Sequence, residues 1–404
     1  MFTKFRVQNF KTHLDTEIEL KDLTLLIGSN NSGKTNLLKA ISFFSEIVRA
    51  NFHKRNEEVI FTNLLSNKHS LHSDKDIILG YETTLIYLDK EVKMSYSLII
   101  HTIGLNQLVE LSEIMSIEID EEIIKFKNEK CDIYSLKLHK LIEDSNNKTI
   151  NDFKFKHKVY EKIKSLATMY YFNFYPQLLR EHSKIDKNIE LKFNEPNRID
   201  ISNFNELFAA LIIYIKENEK NSYSRFLAFI RTFEPSLIGV EIEDDKLVWQ
   251  FDLGNHNSIN FDADAISDGL LKATAVSLIC ALEKKPSLIM LEEIENGINQ
   301  SKVKEFLGWL KYISDNGKNT QFILTSHSPS VIREFSDNLD SVYTFHLKRK
   351  KGYVSEVTNL NEALKKINRL GVLKEGTVEE VDGVLHVRKY ALTELFYNGI
   401  LREL

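Results

Sequence analysis

The stretch LTLLIGSNNSGKT, residues 23–35, decides the fold of this chain. Residues 23–27 are an apolar run typical of a buried strand. Residues 28–35 fit the pattern G-x-x-x-x-G-K-[ST], and residues 36–41 continue with the apolar spacing of a helix. Because the motif lies between a strand and a helix, as its chemistry requires, the stretch predicts a phosphate-binding loop rather than a chance glycine-rich turn.

The residue types of this loop suit a nucleoside triphosphate. Glycines let the backbone wrap so that successive N–H groups point at phosphate oxygens, and the helix N-terminus adds a partial positive charge. Lys34 is expected to reach the β- and γ-phosphates, and the Thr35 hydroxyl is expected to bind Mg²⁺. The motif alone does not separate ATPases, GTPases and kinases. The predicted nucleotide-binding residues of the loop are Gly28, Asn30, Asn31, Ser32, Gly33, Lys34, Thr35 and Asn36.

Two adjacent carboxylates follow a second apolar run, residues 287–291. Open α/β sheets place their ligands at the carboxyl ends of strands. Beside the predicted loop, Glu292 is expected to hold Mg²⁺, and Glu293 to orient and activate the water that attacks the γ-phosphate. An ordinary solvated strand end is the alternative interpretation.

A histidine follows a third apolar run. His327 comes directly after residues 322–326, where it could donate a hydrogen bond to the γ-phosphate as a sensor. A packed or surface histidine is the alternative.

A polar turn precedes the helix that leads to the acidic pair. Ser267, Asp268 and Gly269 stand at the predicted helix start, which is an anion-binding geometry. Considered alone, the turn is an ordinary N-cap by Ser267 or Asp268.

Composition excludes several classes of protein. The 404 residues include 53 Lys and Arg against 58 Asp and Glu, a formal net charge of −5, so any nucleic-acid contact must come from a local patch. Two cysteines, Cys131 and Cys280, exclude a disulfide framework and a four-cysteine zinc site. No apolar leader opens the chain, and its longest apolar run, residues 207–215, is far shorter than the ~20 residues of a membrane span. We therefore expect a cytoplasmic protein without membrane contact.

Periodicity divides the chain into four parts. Residues 1–104 contain the loop and several strand-like runs, and residues 236–350 alternate helical and apolar strand-like runs. Residues 105–235 become dense in Lys, Glu and Asn with helical spacing, which predicts a mostly helical insert. Residues 351–404 are expected to form a C-terminal extension. The whole predicts an α/β head, a mixed sheet with flanking helices, that the insert splits in sequence.

The order of these motifs resembles the ABC-type P-loop ATPase heads of the SMC, RecF and overcoming-lysogenisation-defect (OLD) group. The NF(K/R) opening of that group matches residues 9–11, its LSDG signature matches residues 266–269, its EEPENG stretch is close to residues 292–297, and its THSP switch matches residues 326–329. The resemblance covers about residues 1–100 and 236–350.

This resemblance implies an ATPase that uses ATP and Mg²⁺ and dimerises head to head. ATP would lie between Lys34 of one copy and Ser267 and Gly269 of the other, with Glu293 and His327 as catalytic residues. The chain departs from the pattern at Ile294, where the group has proline, and at residues 299–300, Asn-Gln in place of His-Pro. The glutamine that bridges Mg²⁺ and water in the group has only weak candidates, Gln107 and Gln177.

The resemblance leaves the biological task open between two classes. The first is a homodimeric or higher-order ATPase head that scaffolds or restrains a separate nuclease or toxin effector in antiphage defence; the TOPRIM nuclease domain of OLD proteins is not expected here. The second is a RecF-like, ATP-gated DNA-binding repair protein. The basic stretches 153–158 and 348–352 could contact nucleic acid, but we favour the simpler interpretation of a solvated helix face or edge strand for the first and an exposed turn for the second. A head that binds ATP and barely hydrolyses it is a third possibility, and intact Lys34, Glu293 and His327 argue against it.

Overall fold

The structure is a computed structural model, and it describes most of the chain. The described residues are 1–53, 75–103, 108–120, 122–131, 152–186, 188–189, 191, 199–316, 320–349, 353–369, 371, 373, 376–381 and 383–403. None of the helices within these residues combines the length and the apolar character needed to cross a membrane.

Strands and helices alternate along the described chain. The strands are β1 (Phe2–Phe10), β2 (His13–Glu19), β3 (Leu23–Gly28), β4 (Ile77–Tyr87), β5 (Lys90–Ile103), β6 (Leu108–Ile119), β7 (Glu122–Cys131), β8 (Met169–Phe172), β9 (Leu237–Glu243), β10 (Lys246–Gly254), β11 (Asn257–Asp262), β12 (Leu288–Leu291), β13 (Gln321–Ser326), β14 (Val342–Lys348), β15 (Val354–Asn359), β16 (Val378–Val381) and β17 (Val384–Val387). The helices are α1 (Lys34–His53), α2 (Phe153–Leu166), α3 (Pro176–Glu181), α4 (Phe204–Asn218), α5 (Lys220–Phe233), α6 (Asp268–Ala281), α7 (Val303–Asn316), α8 (Pro329–Ile332), α9 (Leu360–Arg369), α10 (Lys389–Tyr397) and α11 (Ile400–Glu403).

The chain forms two compact units, each assembled from separate segments. The first unit comprises Met1–Tyr171, Pro286–Met290 and Asn319–Leu404, and the second comprises Phe172–Lys285 and Leu291–Lys318. Residues that are neighbours in the sequence can therefore belong to different units. Strand β12 ends at Leu291, which is assigned to the second unit, whereas the rest of the strand is assigned to the first.

The first unit contains two six-stranded sheets. One has the strand order β2-β1-β4-β5-β6-β7, and each neighbouring pair in it is antiparallel. The other has the order β15-β14-β3-β13-β12-β8, in which β3 pairs parallel with both β13 and β14. The parallel register sets Ser326 opposite Ile27 and Phe345 opposite Gly28, so the loop after β3 begins between two neighbouring strands.

Helix α1 is fixed by an apolar core that both sheets share. Leu37, Ile41 and Phe44 of α1 are fully buried and belong to the same cluster as Phe5 of β1 and Ile323 of β13. Burial of each such side chain contributes roughly 1.5–3 kcal/mol. The start of α1, and hence the loop that precedes it, is thereby held on a rigid support.

The second unit is built around α6. Every residue of α6 from position 270 to 281 is buried, which explains why its sequence is mostly apolar rather than amphipathic. The strands β11-β10-β9 form a three-stranded antiparallel sheet. Its buried Trp249 donates from Nε1 to Thr274 Oγ1 of α6 at 3.3 Å, which ties the sheet to the helix.

The structure differs from the expected mostly helical insert over residues 105–235. Helices α2 to α5 lie in that range, but it begins with the strands β6 and β7. In β6, Met115, Ile117 and Ile119 are buried and alternate with the less buried Ser116 and Glu118, the period of a strand with one buried face. The density of Lys and Glu in this range masked that alternation.

The expected C-terminal extension also differs. Within residues 351–404, β15 pairs antiparallel with β14 and so belongs to the sheet that contains β3. The segment completes the first unit because an edge strand of its sheet comes from it.

The buried tyrosines Tyr81 and Tyr96 should respond oppositely to loss of their hydroxyl groups. Tyr81, beside Phe5 and Phe44, has no hydrogen-bond partner for its hydroxyl among the described residues, whereas the Tyr96 hydroxyl donates to Glu113 at 2.7 Å. We expect Tyr81→Phe to leave the free energy of unfolding unchanged or higher, and Tyr96→Phe to lower it by about 1–3 kcal/mol. Urea unfolding followed by far-UV circular dichroism measures both, and equal losses in the two variants would contradict this.

Candidate nucleotide-binding site

The loop between β3 and α1 needs glycine at two positions. Gly28 has φ +145° and Gly33 has φ +110°, both in the region that side chains rarely adopt. A Cβ at Gly28 would collide with the carbonyl oxygen of Phe345, and one at Gly33 would collide with the Ser355 side chain. The two glycines thus let the loop lie directly against β14 and β15.

The back of this loop is held by hydrogen bonds from distant residues. Ser355 Oγ donates to the carbonyl of Ser32 at 2.8 Å. His13 Nε2 lies 3.0 Å from the carbonyl of Gly33, and since a carbonyl only accepts, we assign the Nε2 proton to this bond. Thr12 Oγ1 completes the group at 2.7 Å from Ser355 Oγ.

These bonds orient the amide groups of the loop. In a planar trans peptide the C=O and the following N–H point in opposite directions. Because the carbonyls of Ser32 and Gly33 are held at the back, the N–H groups of Gly33 and Lys34 face the opposite side. The Gly33 carbonyl also accepts from Leu37 N at 3.0 Å as the first turn of α1 forms. The amides are therefore oriented for a phosphate at a helix N-terminus.

Lys34 is held across the same loop. Its Nζ donates to the carbonyls of Gly28 and Ser29, each at 3.0 Å, and the residue is only 5% exposed. Ser32 Oγ is buried and has no hydrogen-bond partner among the described residues. Thr35, half-buried, is the second residue of α1. A fixed ammonium, oriented amides and nearby hydroxyls fit a magnesium-bound polyphosphate.

The rest of the predicted loop is open to solvent or supports its back. Asn30 and Asn31 are exposed, and Asn31 adopts φ +63°, a left-handed conformation that asparagine tolerates. Asn36 Nδ2 donates to Thr12 Oγ1 at 3.0 Å, so Asn36 joins the group of side chains behind the loop.

His327 lies next to this loop in the sheet. It directly follows Ser326, which pairs with Ile27, so His327 and Gly28 leave neighbouring parallel strands at the same end. Its backbone is confined by the turn that follows, in which Ser328 N donates to Ser326 Oγ at 3.0 Å and Ser328 caps α8. The first unit therefore brings together residues 28–36 and His327.

The two predicted acidic residues, Glu292 and Glu293, lie in the second unit, and each accepts a hydrogen bond from a different asparagine. Glu292 Oε2 accepts from Asn173 Nδ2 at 3.1 Å. Glu293 has φ +47°, uncommon for a residue with a side chain, and its carboxylate accepts from Asn296 Nδ2. Such strain persists only where the surroundings hold it, and it concentrates at functional sites.

The polar turn at the start of α6 is an N-cap, with an additional ion pair. Ser267 Oγ accepts from Leu270 N at 3.3 Å, and the exposed Asp268 pairs with Arg180 at 2.7 Å. A Cβ at Gly269 would collide with the carbonyl oxygen of Gly297. Gly269 is therefore required by the close approach of α6 to the loop that carries Glu293.

Several residues that contact the predicted ones within each unit were not found from the sequence. Thr12, His13 and Ser355 act through contacts far along the chain, and no local pattern marks them. Asn173 directly follows β8, a strand of only four residues that the sequence does not reveal.

The sequence does mark Lys272, because it is the one charged residue in the apolar run 270–281 and a buried charge needs partners. Among the weak glutamine candidates, Gln177 is exposed on α3, and Gln107 lies outside the described residues.

Alanine at two glycines of the second unit should have opposite effects. Gly269→Ala must displace the Gly297 backbone and should lower the free energy of unfolding by about 1–3 kcal/mol. Gly308, exposed on α7 with open space around it, should gain about 0.5–1 kcal/mol as alanine. Both tryptophans, Trp249 and Trp309, lie in the second unit, so their fluorescence in urea follows that unit selectively. A stabilised Gly269→Ala variant would contradict the close contact.

Comparison with known proteins identifies one family. Residues 23–333, more than half of the chain, match the family model described as AAA domain, putative AbiEii toxin, Type IV TA system. None of the curated proteins compared with the chain matches it.

Solved structures of SMC heads have a similar fold. An SMC head bound to the C-terminal winged-helix domain of ScpA is 13% identical, with a TM-score of 0.51 over 90% of this chain and 99% of that one. The SMC head of Thermotoga maritima is 12% identical over 89% of this chain and 98% of that one, with a TM-score of 0.43. The Pyrococcus furiosus head with its extended coiled coil, bound to the C-terminal domain of ScpA, is 13% identical over 92% and 99%, with a TM-score of 0.44. The first of these matches confirms the predicted fold class, an α/β ABC-type ATPase head.

Proposed function

The chain belongs to the AAA-domain family described as putative AbiEii toxin, Type IV TA system, and from this membership we propose that it binds ATP with Mg²⁺ and hydrolyses it to ADP and phosphate. The observation that carries the proposal is the loop between β3 and α1, where hydrogen bonds at the back orient the amides of Gly33 and Lys34. Lys34 adds a buried positive charge at the same place.

The proposed roles follow from the chemistry of each side chain. Lys34 and the loop amides bind the phosphates, and Thr35 and Glu292 hold Mg²⁺, which when bound neutralises charge on the phosphate oxygens. Glu293 accepts a proton from the water that attacks the γ-phosphorus as the bond to the ADP oxygen breaks. His327 donates to the γ-phosphate. Asn173 supports this scheme as a residue that orients the Glu292 carboxylate.

We further propose that the active form is a homodimer or a higher oligomer. Ser267, Asp268 and Gly269 would contact the nucleotide held by the loop of another copy. The exposure of Ser267 and Asp268 at the N-terminus of the 14-residue α6 supports this, because that helix end favours an anion.

The proposed task is control of a separate effector. Closure of two heads around ATP would scaffold or switch a partner nuclease or toxin in the cytoplasm, in antiphage defence. The family description supports this class of task, since it names a toxin–antitoxin system.

An ATP-gated DNA-binding repair protein is the second candidate. One observation favours it: on α2, Phe153 is 82% exposed and stacks on His157, with Lys154, Lys156 and Lys158 along the same helix. Basic side chains suit the phosphate backbone of a nucleic acid, and an exposed aromatic ring can stack on its bases. DNA affinity that requires ATP and falls steeply with salt would favour this candidate over effector control.

Lys34→Ala should abolish ATP binding, because it removes the charge that the loop holds at the phosphates. Lys39→Ala, an exposed lysine one turn along α1, is the matched control and should bind as the wild type does. Isothermal titration with magnesium ATP measures both. Retention of wild-type affinity by Lys34→Ala would remove the loop from the proposed site.

Glu293→Gln should bind ATP but hydrolyse it about 10²- to 10⁴-fold more slowly, because the variant cannot accept the proton of the attacking water. The same variant should accumulate as an ATP-bound dimer in light scattering. Glu283→Gln, an exposed glutamate that follows α6, should hydrolyse ATP at the wild-type rate. Unchanged turnover in Glu293→Gln would exclude Glu293 as the base.

A further inference from the structure

We propose that Lys272 is a positioning residue that links the start of α6 to the proposed base Glu293, an inference that rests on the proposed ATP hydrolysis. Lys272 lies on α6, five positions after Ser267. Its Nζ donates to the backbone carbonyl of Glu293 and, at 3.4 Å, to that of Asn296. One ammonium thus holds both ends of the short loop between these two residues.

Lys272 is an unusual residue for its surroundings. It is 3% exposed and is the one charge among the buried residues 270–281 of α6. Burial lowers the pKa of its ammonium to about 8, although the carboxylates of Glu295, Glu293 and Glu292 favour the charged form. An apolar side chain of similar length would avoid this cost but would leave the carbonyls of Glu293 and Asn296 without this donor. The buried lysine at this position therefore serves a specific contact.

The contact acts on a strained part of the backbone. Glu293 adopts φ +47°, an unfavourable conformation for a residue with a side chain, which must be held by its neighbours. The Lys272 ammonium donates a hydrogen bond to the carbonyl of that same residue. Asn296, whose carbonyl is the other acceptor, donates from Nδ2 to the Glu293 carboxylate. The lysine therefore fixes both the backbone of Glu293 and the residue that orients its side chain.

A second contact makes the link rigid. At the beginning of α6, Gly269 approaches Gly297 so closely that a Cβ would collide with its carbonyl. Two contacts, one at Gly269 and one a turn later at Lys272, join the helix to the loop of residues 293–297. Because packed segments move together, a shift of the Ser267 turn when it binds an anion would move Glu293 with it.

Lys272→Met separates this role from a structural one. Methionine keeps the apolar stem but leaves the carbonyls of Glu293 and Asn296 without this donor, so we expect a folded second unit with a lower urea midpoint by tryptophan fluorescence. We expect kcat for ATP hydrolysis to fall about 10- to 100-fold, because a base displaced by an ångström loses rate on that scale. The dissociation constant for a fluorescent non-hydrolysable ATP analogue should stay within about twofold, since the binding loop belongs to the first unit. Lys272→Arg, which keeps the charge and the donors, should recover part of the rate.

Control variants distinguish the positioning role of Lys272 from the proposed ATP hydrolysis itself. Lys304→Met, at an exposed lysine of α7, should have wild-type kcat. A Lys272→Met and Glu293→Gln double variant should be no slower than Glu293→Gln alone, because the lysine acts through the glutamate. If Lys272→Met does not fold, Lys272→Gln, which keeps a donor without the charge, takes its place in the same measurements.

The results of these measurements test the proposed ATP hydrolysis and the positioning role of Lys272 separately. A wild type that binds but does not hydrolyse ATP would overturn the proposed function. An active wild type with unchanged kcat in the folded Lys272 variant would overturn the positioning role alone. A loss of stability that accounts for the loss of rate, with no recovery in Lys272→Arg, would assign Lys272 a purely structural role.

Discussion

The orientation of two peptide planes is the constraint on which the rest of the proposed chemistry depends. A loop of small residues binds phosphate only if its N–H groups face one side, and a free loop samples many orientations. Here Ser355 and His13 donate hydrogen bonds to the carbonyls of Ser32 and Gly33. The planarity of each peptide then fixes the direction of the N–H groups of Gly33 and Lys34. The cost of ordering the loop is met during folding rather than when a ligand binds.

The second unit applies the same logic to a carboxylate. Glu293 follows a buried strand in a backbone conformation that it would not adopt alone, and contacts from α6 hold it there. Position 269 requires glycine because the helix approaches Gly297 closely there, and this requirement is independent of any direct contact with an anion. A turn that resembles a signature for nucleotide binding is thus also a packing device.

Local patterns in the sequence were enough for the parts of the fold that are local. The strand, loop and helix of residues 23–41 follow from one motif, and the ends of β12 and β13 mark the acids and His327. Residues 108–119 and 122–131 form strands inside the range 105–235 that we expected to be mostly helical, because the density of Lys, Glu and Asn and the helical spacing farther along that range hid the alternation that forms β6. Thr12, His13 and Ser355 could not be found this way, since contacts between segments of different sheets, rather than spacing in the sequence, bring them together.

The position of Ser355 in the chain has a consequence for synthesis. The loop it supports is made early, but more than 300 residues separate Ser32 from the Ser355 hydroxyl that donates to its carbonyl. Strand β15, which carries Ser355, must leave the ribosome before the back of the loop is complete. Domains otherwise tend to fold from the N-terminus as they emerge. A nascent chain that stops short of this strand would expose an unfinished loop, so competence to hold a nucleotide arises late in translation.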